Sequence, residues 1–204
     1  MKIRNIGIAL ATFSLASSVW AYGTGYSSFP LSIEKKLLST EITGITSTGG
    51  GLGVQARYTQ KASDQVSFDA GLGMAGGDRN GRLFANADFE IFPDYMRQPR
   101  VALRAGFEHA KEFENNRNIF SIAPMVSKGF SFWGNEAFPF VSLPIGMNLN
   151  SDTKTYESMI SLNAGINGHL PIEGYQNLIG SAEMQVGLKD SFTALFFGVS
   201  YPIN

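Results

Sequence analysis

From Leu52 to near the end of the chain, apolar and polar positions alternate with period two, the mark of strands whose two faces meet different surroundings. Leu52, Val54, Ala56 and Tyr58 form one row against Gly51, Gly53, Gln55, Arg57 and Thr59. After a turn at 61–64, Val66, Phe68, Ala70, Leu72 and Met74 alternate with Gln65, Ser67, Asp69, Gly71 and Gly73, and the two segments read as a hairpin. A loop at 76–81 follows, with the turn chemistry of Gly, Asp and Asn. Leu83, Ala85, Ala87, Phe89 and Ile91 then oppose Arg82, Phe84, Asn86, Asp88 and Glu90. Pro93 and Pro99 bracket the next turn, and Val101, Leu103, Ala105 and Phe107 oppose Ala102, Arg104, Gly106 and Glu108. Past a polar loop at 111–117, a strand over 118–127 sets Phe120, Ile122 and Val126 on one face.

The pattern continues beyond a turn at 130–137. Val141, Leu143, Ile145, Met147 and Leu149 oppose Ser142, Pro144, Gly146 and Asn148. Pro144 has no N–H to give a ladder, so a local defect or bulge is expected there. The segments 157–167 and 178–188 alternate in the same way, and a tight turn at Lys189 and Asp190 leads to a last strand over 192–201. These nine segments are each near the roughly 9–11 residues that a tilted strand needs to cross a bilayer. Bacterial barrels have even strand numbers, and residues 40–48 supply a weaker tenth candidate. We take ten strands, with eight as the alternative, and read 22–39 as an N-terminal extension in which 29–38 is either irregular or a short helix. The barrel domain is then 40–204.

The opening of the chain has a different pattern. Lys2 and Arg4 precede an apolar run over 6–16, followed by Ser17, Ser18, Val19, Trp20 and Ala21. This is the three-part pattern of a secretory signal peptide occupying 1–21, cleaved after Ala21. Its apolar run is shorter than the roughly 20 residues of a membrane-spanning helix. No long apolar stretch recurs, so the chain is not a helical membrane protein. The absence of cysteine excludes a lipoprotein anchor, a disulfide framework, a thiolate metal site and a cysteine nucleophile. The formal charge of −1 becomes −3 once Lys2 and Arg4 are removed, and neither value points to nucleic acid.

Alternation alone does not say which row faces outward. The make-up of the polar row does. A solvent-facing row is usually rich in Lys and Glu, whereas here Gly, Ser, Asn and Gln predominate with charges set singly among them. Small residues suit a crowded barrel interior. Charged residues make up 16% of the chain, below the usual quarter, while Gly at 23 and Phe at 16 are plentiful. The expected lumen charges are Arg57, Asp69, Arg82, Asp88, Glu90, Arg104, Glu108 and Glu183, of both signs and able to pair across a narrow interior. The competing reading is a soluble periplasmic or secreted β-barrel, in which the same charges are ordinary surface groups and an apolar ligand is bound within. Two aromatic clusters, Phe130, Phe132, Trp133 and Phe138 around one turn and Phe92, Tyr95 and Met96 around another, read as parts of an interfacial girdle.

The last residues add a motif. Gly198, Val199, Ser200, Tyr201, Pro202 and Ile203 follow the order glycine, two variable residues, aromatic, one residue, apolar. In this the chain resembles small outer-membrane β-barrel proteins of Gram-negative bacteria, whose last strand carries such a signal for the insertion machinery. It departs from them in ending on Asn204 and in placing Phe196 where a polar residue is common. The resemblance implies an outer-membrane location, with Gly198, Tyr201 and Ile203 as the insertion signal, and membrane lipid, the insertion machinery and periplasmic chaperones as partners. It implies no particular activity.

Catalytic chemistry has little to build on. The chain has two histidines, His109 and His169. Neither is followed by the residue-then-Ser of the lipid A deacylase pattern, and no Gly-x-Ser-x-Gly elbow occurs. Glu108 next to His109 is the one adjacent acid and base, although a histidine at a strand end is usually just solvated. Two distant histidines give no metal-ligand spacing. The expectation is therefore a non-enzymatic barrel without cofactor, with a structural or limited solute-passage role and a plugged lumen. Oligomeric state is not legible.

Overall fold

The computed structural model describes residues 28–203 apart from 34, 48, 77, 78, 133 and 134, and without the side chains at 79, 80 and 132. The expected signal peptide, its cleavage point and Trp133 lie outside the described residues. Among the latter there is no helix, and the strands are β1 (Lys36–Ile45), β2 (Leu52–Lys61), β3 (Val66–Ala75), β4 (Arg79–Phe92), β5 (Arg100–Glu112), β6 (Asn115–Ser127), β7 (Phe130–Phe132), β8 (Asn135–Ser142), β9 (Ile145–Asn150), β10 (Thr155–His169), β11 (Ile179–Lys189) and β12 (Ala194–Ile203).

All pairings are antiparallel, and β12 pairs β1 along its whole length, from Lys36 opposite Ile203 to Ile45 opposite Ala194. The sheet therefore closes. β8 and β9 both lie between β6 and β10, and β7 folds back on β8 alone, so the twelve strands make a closed barrel of ten staves. The first stave begins at Lys36, four residues ahead of Thr40, and the last is shifted to 194–203. The 111–117 loop is not a loop: β5 and β6 run to a two-residue hairpin at Phe113 and Glu114, both at positive φ (49° and 66°). That backbone matches strand twist but is costly for side chains other than Gly or Asn. Likewise β4 starts at Arg79, within the stretch read as the 76–81 loop, and the 130–137 turn contains β7 and the start of β8.

At Pro144 the ladder is interrupted without a bulge. Ser142 and Ile145 face Met125 and Ile122 on β6, and Asn163 and Ile160 on β10, so pairing resumes in unchanged register. The cause is a proline on each side of the gap, Pro144 and Pro124, neither of which donates. Leu143 N–H reaches Pro124 O at 3.1 Å and Ser161 N–H reaches Pro144 O at 3.0 Å, which carries the seam across.

Burial is inverted relative to a soluble barrel. Leu72 is 54% exposed and Phe197 57%, whereas Arg57 is 2% exposed and Asn163 0%. The apolar rows face outward and the polar rows fill the lumen, which is the polarity of a transmembrane β-barrel. The soluble reading, with an apolar interior, does not describe this molecule. Small inward residues make the filling fit: a Cβ on Gly71 would lie 2.4 Å from the ring of Phe84, so only glycine lets that ring cross the lumen. Phe138 faces inward, its ring 5.4 Å from that of Phe29, and does not join a girdle. Phe92, Tyr95, Met96 and Phe130 are exposed at the end where β1 begins and β12 ends, hereafter the terminal end.

The outward row sets a direct test. Replacing Leu162 by Arg places a cation against hydrocarbon at a cost of about 2–4 kcal/mol near the midplane, and the variant is expected to unfold at correspondingly lower urea in lipid vesicles, with Leu162→Val near the parent. An arginine variant as stable as the parent would reverse the assignment of faces.

Candidate functional site: the charged lumen

Strand pairing brings the inward charges within reach of one another. On β3, β4 and β5, Arg104 donates to Asp69, whose other oxygen accepts from Asn86 Nδ2 at 2.7 Å. Arg82 donates to Glu108 at 2.6 Å, and its guanidinium lies 4.7 Å from the centre of the Phe84 ring. Arg57 lies 5.6 Å from the same ring and donates to Glu41 at 2.9 Å. Gln55 donates to the same carboxylate oxygen of Glu41. Phe84 is thus a buried platform for two cations. On the opposite wall Glu183 accepts from Asn163 Nδ2 at 2.6 Å.

Asp88 and Glu90 are held by a residue outside the expected set. Arg100 donates to Glu90 at 2.7 Å and to Asp88. Glu41, Arg100, Glu112 and Arg117 all belong to the network, the last bridging Glu112 at 3.8 Å and Glu157 at 3.7 Å near the far end. Each was legible from parity: Arg100 is four residues from Arg104 and Glu112 four from Glu108, but both fell beyond the strand ends read from sequence.

His109 and Glu108 do not form an acid–base pair. Successive strand residues point to opposite faces: Glu108 faces inward to Arg82, while His109 faces outward and its Nδ1 is 2.8 Å from Asn118 Oδ1. His169 is at the terminal end, with Nδ1 donating to Gln176 O at 2.9 Å. No group of three His, Asp or Glu able to hold a metal ion occurs among the described residues.

The lumen interior has little room. One cavity of about 60 Å³ lies against Asp69, Asp88, Glu90, Arg100 and Arg104, and another of about 10 Å³ against Glu41, Arg57 and Glu183. Thr43 Oγ1, Ser142 Oγ and Asn148 Oδ1 are buried with no hydrogen-bond partner among the described residues, the kind of group that ordered water commonly satisfies.

The residues of the C-terminal motif sit on the closing seam. Gly198 faces inward opposite Glu41, and a Cβ there would lie 2.7 Å from Glu41 Cγ and 2.5 Å from Ser181 Oγ. Tyr201 faces outward, 57% exposed, and Ile203 pairs with Lys36.

Neither a protein-family model nor a curated protein matches the sequence. Among solved structures the chain is similar to a de novo designed transmembrane β-barrel, at 13% identity over 86% of this chain and 100% of that one, with a TM-score of 0.42. It is similar also to the N-terminal β-barrel domain of OprF from Pseudomonas aeruginosa, at 15% identity over 82% and 97% of the two chains (TM-score 0.33). A third is Ail, the attachment invasion locus protein of Yersinia pestis, at 7% identity over 83% and 96% (TM-score 0.24). Likenesses at this level decide nothing about what this chain does.

At the terminal end, Asp94 ties two turns together. It pairs with Lys128 and accepts from Gly129 N–H at 2.6 Å, while Lys128 also donates to Met96 O at 2.6 Å. Partial desolvation pushes the Asp94 carboxyl up, but the Lys128 hydrogen bond, the Gly129 N–H and the Lys128 charge outweigh it and leave the group below its ordinary 3.8. A carboxyl lowered on folding stabilises the fold above its unfolded value and ceases to as pH falls through the folded one. The stability gap between the parent and Asp94→Asn, read by denaturant unfolding, is therefore expected at pH 7 and should narrow progressively as the pH falls below the ordinary value of 3.8. A gap that does not narrow as the pH falls below 3.8 would assign it to something other than this ionisation.

The lumen pairs predict non-additivity. Removing one partner of a buried pair costs roughly 3–5 kcal/mol because a lone charge remains, whereas neutralising both partners costs far less. Arg104→Met is therefore expected to be much less stable than the double variant Arg104→Met with Asp69→Asn, measured by thermal unfolding in detergent. Equal loss in both would mean the pair is not coupled.

Proposed function

We propose that this chain is an exported integral outer-membrane barrel whose role is structural, with at most limited passage of small solutes, because its lumen is plugged by its own charge pairs. The observation that carries the reading is the inward charge network along the β1–β5 wall, in which Arg57, Arg82, Arg100 and Arg104 each meet a carboxylate on an adjacent or next-adjacent strand, bordering cavities of about 60 and 10 Å³. Ions entering a low-dielectric lumen need either water or fixed counter-charges, and here the fixed charges already satisfy one another. The apolar outward band supports residence in a bilayer. Export by a signal peptide at 1–21, and delivery by periplasmic chaperones to the insertion machinery through Gly198, Tyr201 and Ile203, complete the reading.

In planar bilayers the purified protein is expected to give small or no steady conductance, and Arg104→Ala to raise channel activity while lowering thermal stability. Large, steady porin-like steps from the parent would overturn the plugged lumen and favour general diffusion. Deleting residues 201–204 should deplete the protein from the outer-membrane fraction, whereas normal assembly would remove the motif from the reading.

A further inference from the structure

The segment ahead of β1 crosses the barrel mouth. Ser28 is 2% exposed; its Oγ donates to Phe138 O at 2.6 Å and accepts from Asn167 Nδ2 at 3.0 Å. The Phe29 ring lies edge-on to Phe138 at 5.4 Å and to His169 at 5.1 Å. These partners are on β8 and β10, across the lumen from β1, to which the segment returns through a turn closed by Lys35 N–H on Ser32 O at 3.0 Å. Between the two anchorages Phe29, Pro30 and Leu31 border two spaces. One is the 60 Å³ cavity on the β2–β5 side, and the other is a cleft of about 230 Å³ toward Ile179 and Pro202.

We propose that residues 28–33 are a strap that closes the terminal mouth, and that its release governs the access of small hydrophilic solutes to a charged vestibule formed by Asp69, Asp88, Glu90, Arg100 and Arg104. Three features fit this role. The strap belongs to no strand, so it lifts without breaking the ladder. Its hold is local, one serine and one aromatic ring on two neighbouring staves, and such contacts open at far lower cost than a barrel unfolds. Its outer residues, Pro30, Ser32 and Ile33, are exposed. The strap stands independently of the plugged-lumen reading: it controls entry from one end, whereas the network controls passage through the centre.

The chain lacks cysteine, so a single thiol reports access cleanly. Thr59 is 8% exposed, faces inward and borders the vestibule behind the strap. Thr59→Cys is to be introduced into the full chain in liposomes and labelled with a cationic, membrane-impermeant methanethiosulfonate, with Asp64→Cys on the exposed adjoining turn as the reagent control. Slow labelling is expected in the parent. With Phe29→Ala it should be roughly tenfold faster, the scale of losing two aromatic edge contacts. Ser28→Val should also be faster, and deletion of residues 22–33 should approach the control. Equal Thr59→Cys rates with and without Phe29→Ala would overturn the strap, even where the deletion fails to assemble. Conductance in the same variants separates the two readings: fast labelling with no conductance supports the strap and leaves the plug intact, while fast labelling with large conductance supports the strap and overturns the plug.

Discussion

Everything in this fold depends on the pairing of β12 with β1. In hydrocarbon a backbone N–H or C=O without a partner costs several kcal/mol, and only a closed ladder leaves no edge. Ten residue pairs join the two strands, and the departures from ideal pairing elsewhere are local, two of them register shifts near the two ends of the β4–β5 ladder. At the Pro124 and Pro144 seam the register is kept and neighbouring carbonyls still find donors. At β10 and β11 a one-residue shift near Ile160 is confined to the end away from the termini. Gly198 belongs to this constraint as well. It sits where β12 must approach Glu41, and any side chain there would push the closing strands apart.

Closure then dictates the interior. Because side chains alternate, every outward leucine or phenylalanine obliges its neighbours to face the lumen, and a narrow lumen cannot solvate separated charges. The sequence solves this in two ways. Acids and bases are placed so that strand pairing brings them together, as with Arg82 and Glu108 on adjacent strands and Asp69 and Arg104 two strands apart. Glycine is set opposite some of the large inward rings, as Gly71 is beneath Phe84 and Gly165 beside Phe140. Pairing in register therefore does double duty, satisfying the backbone and neutralising the charges, and a one-residue slip would undo both.

Much of this was legible because period two is a strong signal when one row is apolar and the other small and polar. The ten staves, the outward row and the inward position of Arg57, Asp69, Arg82, Asp88, Arg104 and Glu183 follow from it. What escaped lies where the pattern meets a turn. Phe113 and Glu114 were read as part of a loop because neither is a turn residue, yet the strands continue to them; their left-handed backbone is imposed by the pairing of Glu112 with Asn115. Arg100 was lost behind Pro99 and Glu41 within a strand of weak alternation. Phe138 was read as interfacial from its aromatic neighbours, but parity with Phe140 and Ser142 sends it inward. The strap has no periodic signature at all: its position comes from long-range contacts of Ser28 and Phe29, more than a hundred residues away in the chain.

The distribution of connections also says which end of the barrel is elaborated. At the far end the turns are short, two residues at 113–114 and four at 151–154, and the longer staves β4, β5, β6 and β10 simply rise past the apolar band. There the outward face turns polar at His109, Lys111, Asn116 and Asn118, while the inward face stays packed at Ala110 and Glu112. The terminal end instead carries the longer connections at 93–99, 128–134 and 170–178, the Asp94–Lys128 tie and the strap. Outer-membrane barrels usually keep their short turns on the periplasmic side and their long loops outside. Here too the two ends differ, with the longer connections gathered at the terminal end. Inward charges between β1 and β5 and the segment at 28–33, which is held to Phe138 and Asn167, meet at this same end of the barrel. The longer connections, the Asp94–Lys128 tie and the anchored segment at Ser28 and Phe29 thus all lie at the end where the described strands begin with β1 and close with β12.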